Sequence, residues 1–141
     1  MAENVGVGAL ASSVSATDLD IGSVYGVVTY AITSGNTNDV FAIRPTDGMV
    51  FVKRSLDRET TSSYSLTIKA NDQDPVSPLS STATLQVTLT DINDNAPICN
   101  PCIYGASIKE SVAIGTIVIQ LNCSDADLKP NAISGYTITT G

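Results

Sequence analysis

At 141 residues the chain has room for one ordinary domain, or a small domain with part of another, and not for two complete sandwiches of about 100 residues each. Seven Lys and Arg against fourteen Asp and Glu leave a net charge of −7. That balance excludes the basic footprint of a nucleic-acid or anionic-membrane binder and makes cations the natural partners. No apolar run approaches the roughly 20 residues of a membrane span, and no secretory leader pattern is present, so any membrane attachment would lie in parts of a parent protein outside this segment.

In chain order, short runs of period-two alternation predict strands at 9 to 16, 26 to 33, 40 to 43, 49 to 53, 63 to 71 and 82 to 90. Thr46-Asp47-Gly48 carries hairpin turn chemistry between the third and fourth. Ser65 to Ala70 and Ala83 to Leu89 alternate most regularly, each with one face for a core and one for water. Pro75 and Pro78 separate them, because neither can donate to a ladder. No stretch shows a helical period. The pattern predicts an antiparallel β-sandwich with Greek-key connections, its core built from Val, Ile, Leu and Ala because Trp is absent and aromatics are few.

Past residue 97 the chain repeats itself. Glu110, Val112, Gly115, Asp125 and Asp127 fall on Glu3, Val5, Gly8, Asp18 and Asp20. The offset then shortens by one residue, as a surface-loop deletion allows, and Tyr136, Ile138 and Gly141 fall on Tyr30, Ile32 and Gly35. A repeat of about 107 residues is the size of one small sandwich. The second copy covers the first third of the unit, which is too little to bury a core unaided.

Eleven of the fourteen acidic residues fall in motifs that recur or cluster: Glu3, Asp18 with Asp20, Asp57 with Glu59, Asp72, Asp91 with Asp94, Glu110, and Asp125 with Asp127. Gathered carboxylates repel one another unless a cation neutralises them. Hard oxygens without His or Cys among them select Ca²⁺ over Zn²⁺ or copper, and irregular coordination favours it over Mg²⁺. A lone Asp-x-Asp is ordinarily an Asp-rich turn. The combination of Leu56-Asp57-Arg58-Glu59, Ala70-Asn71-Asp72, Asp91-Ile92-Asn93-Asp94-Asn95-Ala96-Pro97 and Asp125-Ala126-Asp127 is far more specific.

With these motifs and with Glu3, residues 3 to 141 resemble the extracellular repeats of the cadherin superfamily. The resemblance implies an all-β, seven-stranded Greek-key sandwich, with residues 1–97 one repeat ending in the linker 91–97 and residues 98–141 the start of a second. It implies two to three Ca²⁺ ions at the linker. Glu3, Asp57, Glu59, Asp91 and Asp94, with the Ile92 carbonyl, would hold the first two, and Asp127 would reach the second. The third would take the Asn93 side chain, the Asn95 carbonyl, Asp125, Asp127 and the Asn131 carbonyl. It would be incomplete, because the counterpart of Asp72 in the second repeat is missing. Asp18, Asp20 and Asp72 look like half of a site for a preceding linker.

The odd count of cysteines leaves one unpaired within the chain. Cys99-Asn100-Pro101-Cys102 has redox spacing but lacks the βαβ context of a redox motif. In the implied sandwich, Cys123 returns towards Cys99 or Cys102. A disulfide from Cys123 is expected, with Cys102 the preferred partner, in an oxidising compartment. Asn122-Cys123-Ser124 is a glycosylation sequon.

Without His, Ser-His and Cys-His catalysis are excluded, and no enzyme is expected. The expected function is a calcium-binding extracellular module of a single-pass cell-surface adhesion protein, its ions stiffening the linker and its partner another cadherin-type protein, homophilic or heterophilic. Without Trp, the family's tryptophan exchange cannot occur, which implies a protocadherin-like or other long, non-swapping relative. The alternative is a structural spacer with no adhesive contact of its own.

Overall fold

The computed structural model describes residues 1–18, 27–74 and 76–139. The expected roles of Asp20, Pro75 and Gly141, and the first residue of the strand expected at 26 to 33, lie outside these residues. The chain divides into two compact units, Met1–Thr90 and Asp91–Gly141. The acidic stretch 91–97 follows the last residue of the first unit.

The first unit is all-β. Its strands are β1 (Leu10–Ser13), β2 (Thr29–Ser34), β3 (Phe41–Ile43), β4 (Met49–Val52), β5 (Ser63–Asn71) and β6 (Ser80–Thr88), with a 3₁₀ turn at Thr37–Asp39. They form two antiparallel sheets, ordered β1-β4-β3 and β2-β5-β6. Because β1 skips to β4 and β2 skips to β5, the connections cross between sheets as a Greek key requires. Six strands are described, joined by an isolated parallel bridge between Ala2 and Thr90. The count of seven is thus not reached among the described residues.

Alternation explains why these segments are strands. In β5, Tyr64, Leu66 and Ile68 are buried, while Ser63 and Ser65 face water. Facing them across the sandwich are Phe41, Val50 and Val52 of the other sheet, so the two inner faces make one core. The Phe41 and Tyr64 rings meet edge to face, with centroids 5.1 Å apart, an arrangement that adds to plain burial. The β3–β4 turn needs Gly48, which sits at φ +69°. A Cβ there would come within 2.2 Å of the Val14 carbonyl oxygen, where the backbone of Val14 donates to Gly48.

The second unit has a single short ladder, β7 (Ile98–Cys99) against β8 (Cys123–Ser124). Every buried hydrophobic residue among those described belongs to the first unit. Ile103, Ile114, Ile117 and Ile138 of the second are largely exposed. The repeat nonetheless shows in the backbone. Val5 and Ala9 donate to the carbonyls of Ala2 and Gly6, and Val112 and Thr116 donate to those of Lys109 and Ala113. Gly8 and Gly115 both take φ +89°.

The expected partner of Cys123 needs correction. The disulfide joins Cys123 to Cys99, and Cys102 is free and exposed. The ladder register decides this: Cys99 lies directly opposite Cys123, with Cα atoms 3.9 Å apart, next to the bond from the Asn100 N–H to the Asn122 carbonyl. Non-hydrogen-bonded pairs of this kind bring side chains closest. Cys102 lies three residues on, past Pro101 and beyond the end of β7.

Candidate metal centre

In the first unit, the bridge at Ala2 carries Glu3 along the end of the sheet, where its N–H donates to the Thr90 carbonyl at 3.3 Å. Glu3 is only 3% exposed, and its Oε2 accepts the Arg58 backbone N–H at 2.5 Å. Leu56, buried in the core, anchors the segment that follows. Asp57 then turns the chain. Its Oδ1 accepts the Thr60 N–H at 3.0 Å, its Oδ2 accepts the Thr60 hydroxyl at 2.8 Å, and its carbonyl accepts the Thr61 N–H. The Thr60 bonds favour the charged carboxylate and hold the Asp57 carboxyl below its ordinary range.

That turn presents Glu59 beside Glu3, with carboxylate oxygens within 4.8 Å of each other. Two such charges repel by about 1 kcal/mol in bulk water and about 3.5 kcal/mol at an effective dielectric of 20. Arg58, itself 9% exposed, is ion-paired to Glu59 and relieves part of this.

In the second unit, the linker and the segment after β8 are tied together by side chains. Asp91 Oδ2 accepts the Leu128 N–H at 3.1 Å and the Asn131 amide at 2.8 Å. The Asn95 amide donates at 2.8 Å both to Asp94 Oδ1 and to Asp127 Oδ1, and the Asn95 N–H reaches Asp127 Oδ2 at 3.3 Å. One neutral side chain thus clips two carboxylates, whose oxygens lie within 4.8 Å of each other. Asp127 is 4% exposed, and its own N–H donates to Asp125 Oδ1 at 3.1 Å. Asn93 is exposed and Ile92 half-buried in the same stretch.

Asp18 and Asp72 line one cleft of the first unit. The carboxylate of Asp72 is engaged with its own loop, accepting the N–H groups of Leu79 and Asp74. Three contributors escaped the sequence reading: Arg58 as the resident cation, Thr60 as the group that orients Asp57, and the side chain of Asn95, of which only the carbonyl was expected to matter. Arg58 had a visible signal, a lone cation between two acids. The other two are set by turn geometry.

The cadherin-domain family model matches residues 1–90. The chain belongs to the cadherin domain family. It is 40% identical over 142 residues to the fruit-fly protocadherin-like wing polarity protein stan, covering 97% of this chain and 4% of that protein. Human protocadherin Fat 4 is 41% identical over 136 residues, covering 96% of the chain and 3% of the relative. The chain therefore spans only a few per cent of the length of the curated relatives it matches. Among solved structures, the protocadherin gammaB4 extracellular domain superposes with a TM-score of 0.83 at 30% identity, over 94% of this chain and 23% of that one. Mouse cadherin-23 EC22-24 gives 0.81 at 26% identity, over 94% and 41%.

This cadherin domain thus has the all-β fold of its structural neighbours. Calcium is the metal expected of the family. The donors fit it: clustered carboxylate oxygens, while two of the three thiols are consumed in the disulfide. Among the described residues no helix is long and apolar enough to cross a membrane.

Proposed function

We propose that this cadherin segment is a calcium-binding extracellular module whose ions stiffen the linker 91–97, within the ectodomain of a cell-surface adhesion protein. The observation that carries the reading is the pairing of carboxylates inside each unit, Glu3 with Glu59 and Asp94 with Asp127, each within 4.8 Å. Such pairs fit a divalent cation far better than they fit water. Glu3, Asp57, Glu59, Asp91 and Asp94, with the Ile92 carbonyl and Asp127, would hold two ions. Asn93, Asn95, Asp125, Asp127 and Asn131 would hold a third less completely.

When bound, Ca²⁺ supplies positive charge and six to eight oxygen bonds, and no covalent chemistry. The protein's share is to hold the ligands in place before the ion arrives. Arg58 and Thr60 do so in the first unit, and Asn95 and Asn131 in the second. The partner class is another cadherin-type chain. Calorimetric titration with Ca²⁺ tests the reading: saturable binding with Kd on the order of 10⁻⁴ to 10⁻³ M supports it, and the absence of binding in the millimolar range contradicts it.

A further inference from the structure

We propose that Asn122 is an N-glycan acceptor whose use is decided by whether Cys123 has already paired with Cys99. Asn122-Cys123-Ser124 is the only N-x-Ser/Thr sequence in the chain, and Asn122 and Ser124 are both exposed. Sequons are modified on accessible, loop-like backbone, and this one is built into a ladder.

All three residues are held at once. The Asn122 N–H donates to the Tyr104 hydroxyl oxygen at 2.7 Å, and its carbonyl accepts the Asn100 N–H at 3.0 Å. Its side-chain amide reaches the Asn100 carbonyl at 3.4 Å. Cys123 is bonded to Cys99, and Ser124 pairs with Ile98 in the same ladder. A transferase that must bring the Asn amide and the Ser hydroxyl together in a bent peptide finds neither free to move once the disulfide is closed. The first unit has Ser15-Ala16-Thr17 at the corresponding place, with neither the acceptor nor the lock.

Two reactions compete for this segment. Glycan transfer joins Asn122 Nδ2 to C1 of an oligosaccharide carried on a lipid pyrophosphate. The C1–oxygen bond breaks, the lipid pyrophosphate leaves, and the amide nitrogen loses one proton. Disulfide closure passes two electrons and two protons from Cys99 and Cys123 to a disulfide-bearing oxidant, which becomes a dithiol. Both co-reactants belong to the oxidising secretory compartment, so the inference rests on the extracellular reading above. Order matters in one direction only. Because Asn122 is exposed, a glycosylated chain can still close the disulfide, whereas a closed chain cannot be glycosylated.

The test expresses the full chain behind a cleavable secretion signal in mammalian cells and measures the glycosidase-sensitive mobility shift on total chain, lysate plus medium. Reading total chain keeps the result meaningful for variants that fail to fold or leave the cell. Partial occupancy is expected for the unaltered sequence, and none for Asn122→Gln. Occupancy should rise at least twofold in the Cys99→Ser, Cys102→Ser double variant, which keeps the sequon but leaves Cys123 without a partner. A similar rise is expected for the unaltered sequence during a pulse of dithiothreitol. Equal occupancy with and without the disulfide, or no shift in any arm, would overturn the proposal. Calcium titration of the same purified chain reports separately on the reading beneath it.

Discussion

Glu3 is the residue where folding and the proposed calcium binding meet. It is almost fully buried, yet it carries charge beside Glu59 and holds the Arg58 backbone. An amide at this place keeps the acceptor for the Arg58 N–H and loses only the charge. Glu3→Gln is therefore expected to weaken calcium affinity on the order of tenfold, through ligand charge, while leaving the melting temperature in chelator unchanged or slightly raised. Titration and thermal denaturation of the same sample check both halves. Asp57 adds a pH dependence. Its carboxyl is held below the ordinary value of 3.8 chiefly by the Thr60 backbone and hydroxyl. The folded state thus binds that proton more weakly than the unfolded chain does. The resulting stability is fully present above the ordinary carboxylate range and is lost as pH falls through the lowered value. Thr60→Val should cost about 1 kcal/mol at neutral pH in chelator, and the difference should shrink below pH ~4. A cost independent of pH would assign it to packing instead.

Among the elements, β5 and the segment after β7 mark the contrast between a built core and an open one. Leu66 is wholly buried between the sheets, so Leu66→Ala is expected to cost about 2–5 kcal/mol. Ile117 is 83% exposed, and Ile117→Ala should stay within about 0.5 kcal/mol; denaturant titration compares them directly. The six strands of the first unit were legible because period-two alternation and the Thr46-Asp47-Gly48 turn are local signals. Their edges differ by a few residues where pairing, not alternation, ends a strand: β6 begins at Ser80 because it meets Asn71 of β5. The disulfide was legible only as far as Cys123. Which thiol it finds depends on register, and a two-residue ladder leaves too little pattern to read. Peptide mapping should recover Cys99 linked to Cys123 and Cys102 as the single free thiol.

For the molecule as a whole, the internal repeat was the most readable feature, and it reappears as matching turns at Val5 and Val112 and matching glycine conformations at Gly8 and Gly115. Of the acidic residues proposed as ligands, Glu3, Asp125 and Asp127 recur with the repeat, as Glu110, Asp18 and Asp20, while Asp57, Glu59, Asp91 and Asp94 were read from local motifs. The arrangement around them was less readable, because Arg58, Thr60 and Asn95 act through hydrogen bonds that depend on turn geometry. What calcium does to the pair of units is the central claim, and it belongs to this scale. Small-angle scattering of the whole chain, recorded in millimolar Ca²⁺ and again in chelator, tests it most directly. A stiffer particle with calcium, reverting when the ion is removed and absent in Asp127→Asn, is the predicted result; superimposable profiles in the two conditions would contradict it.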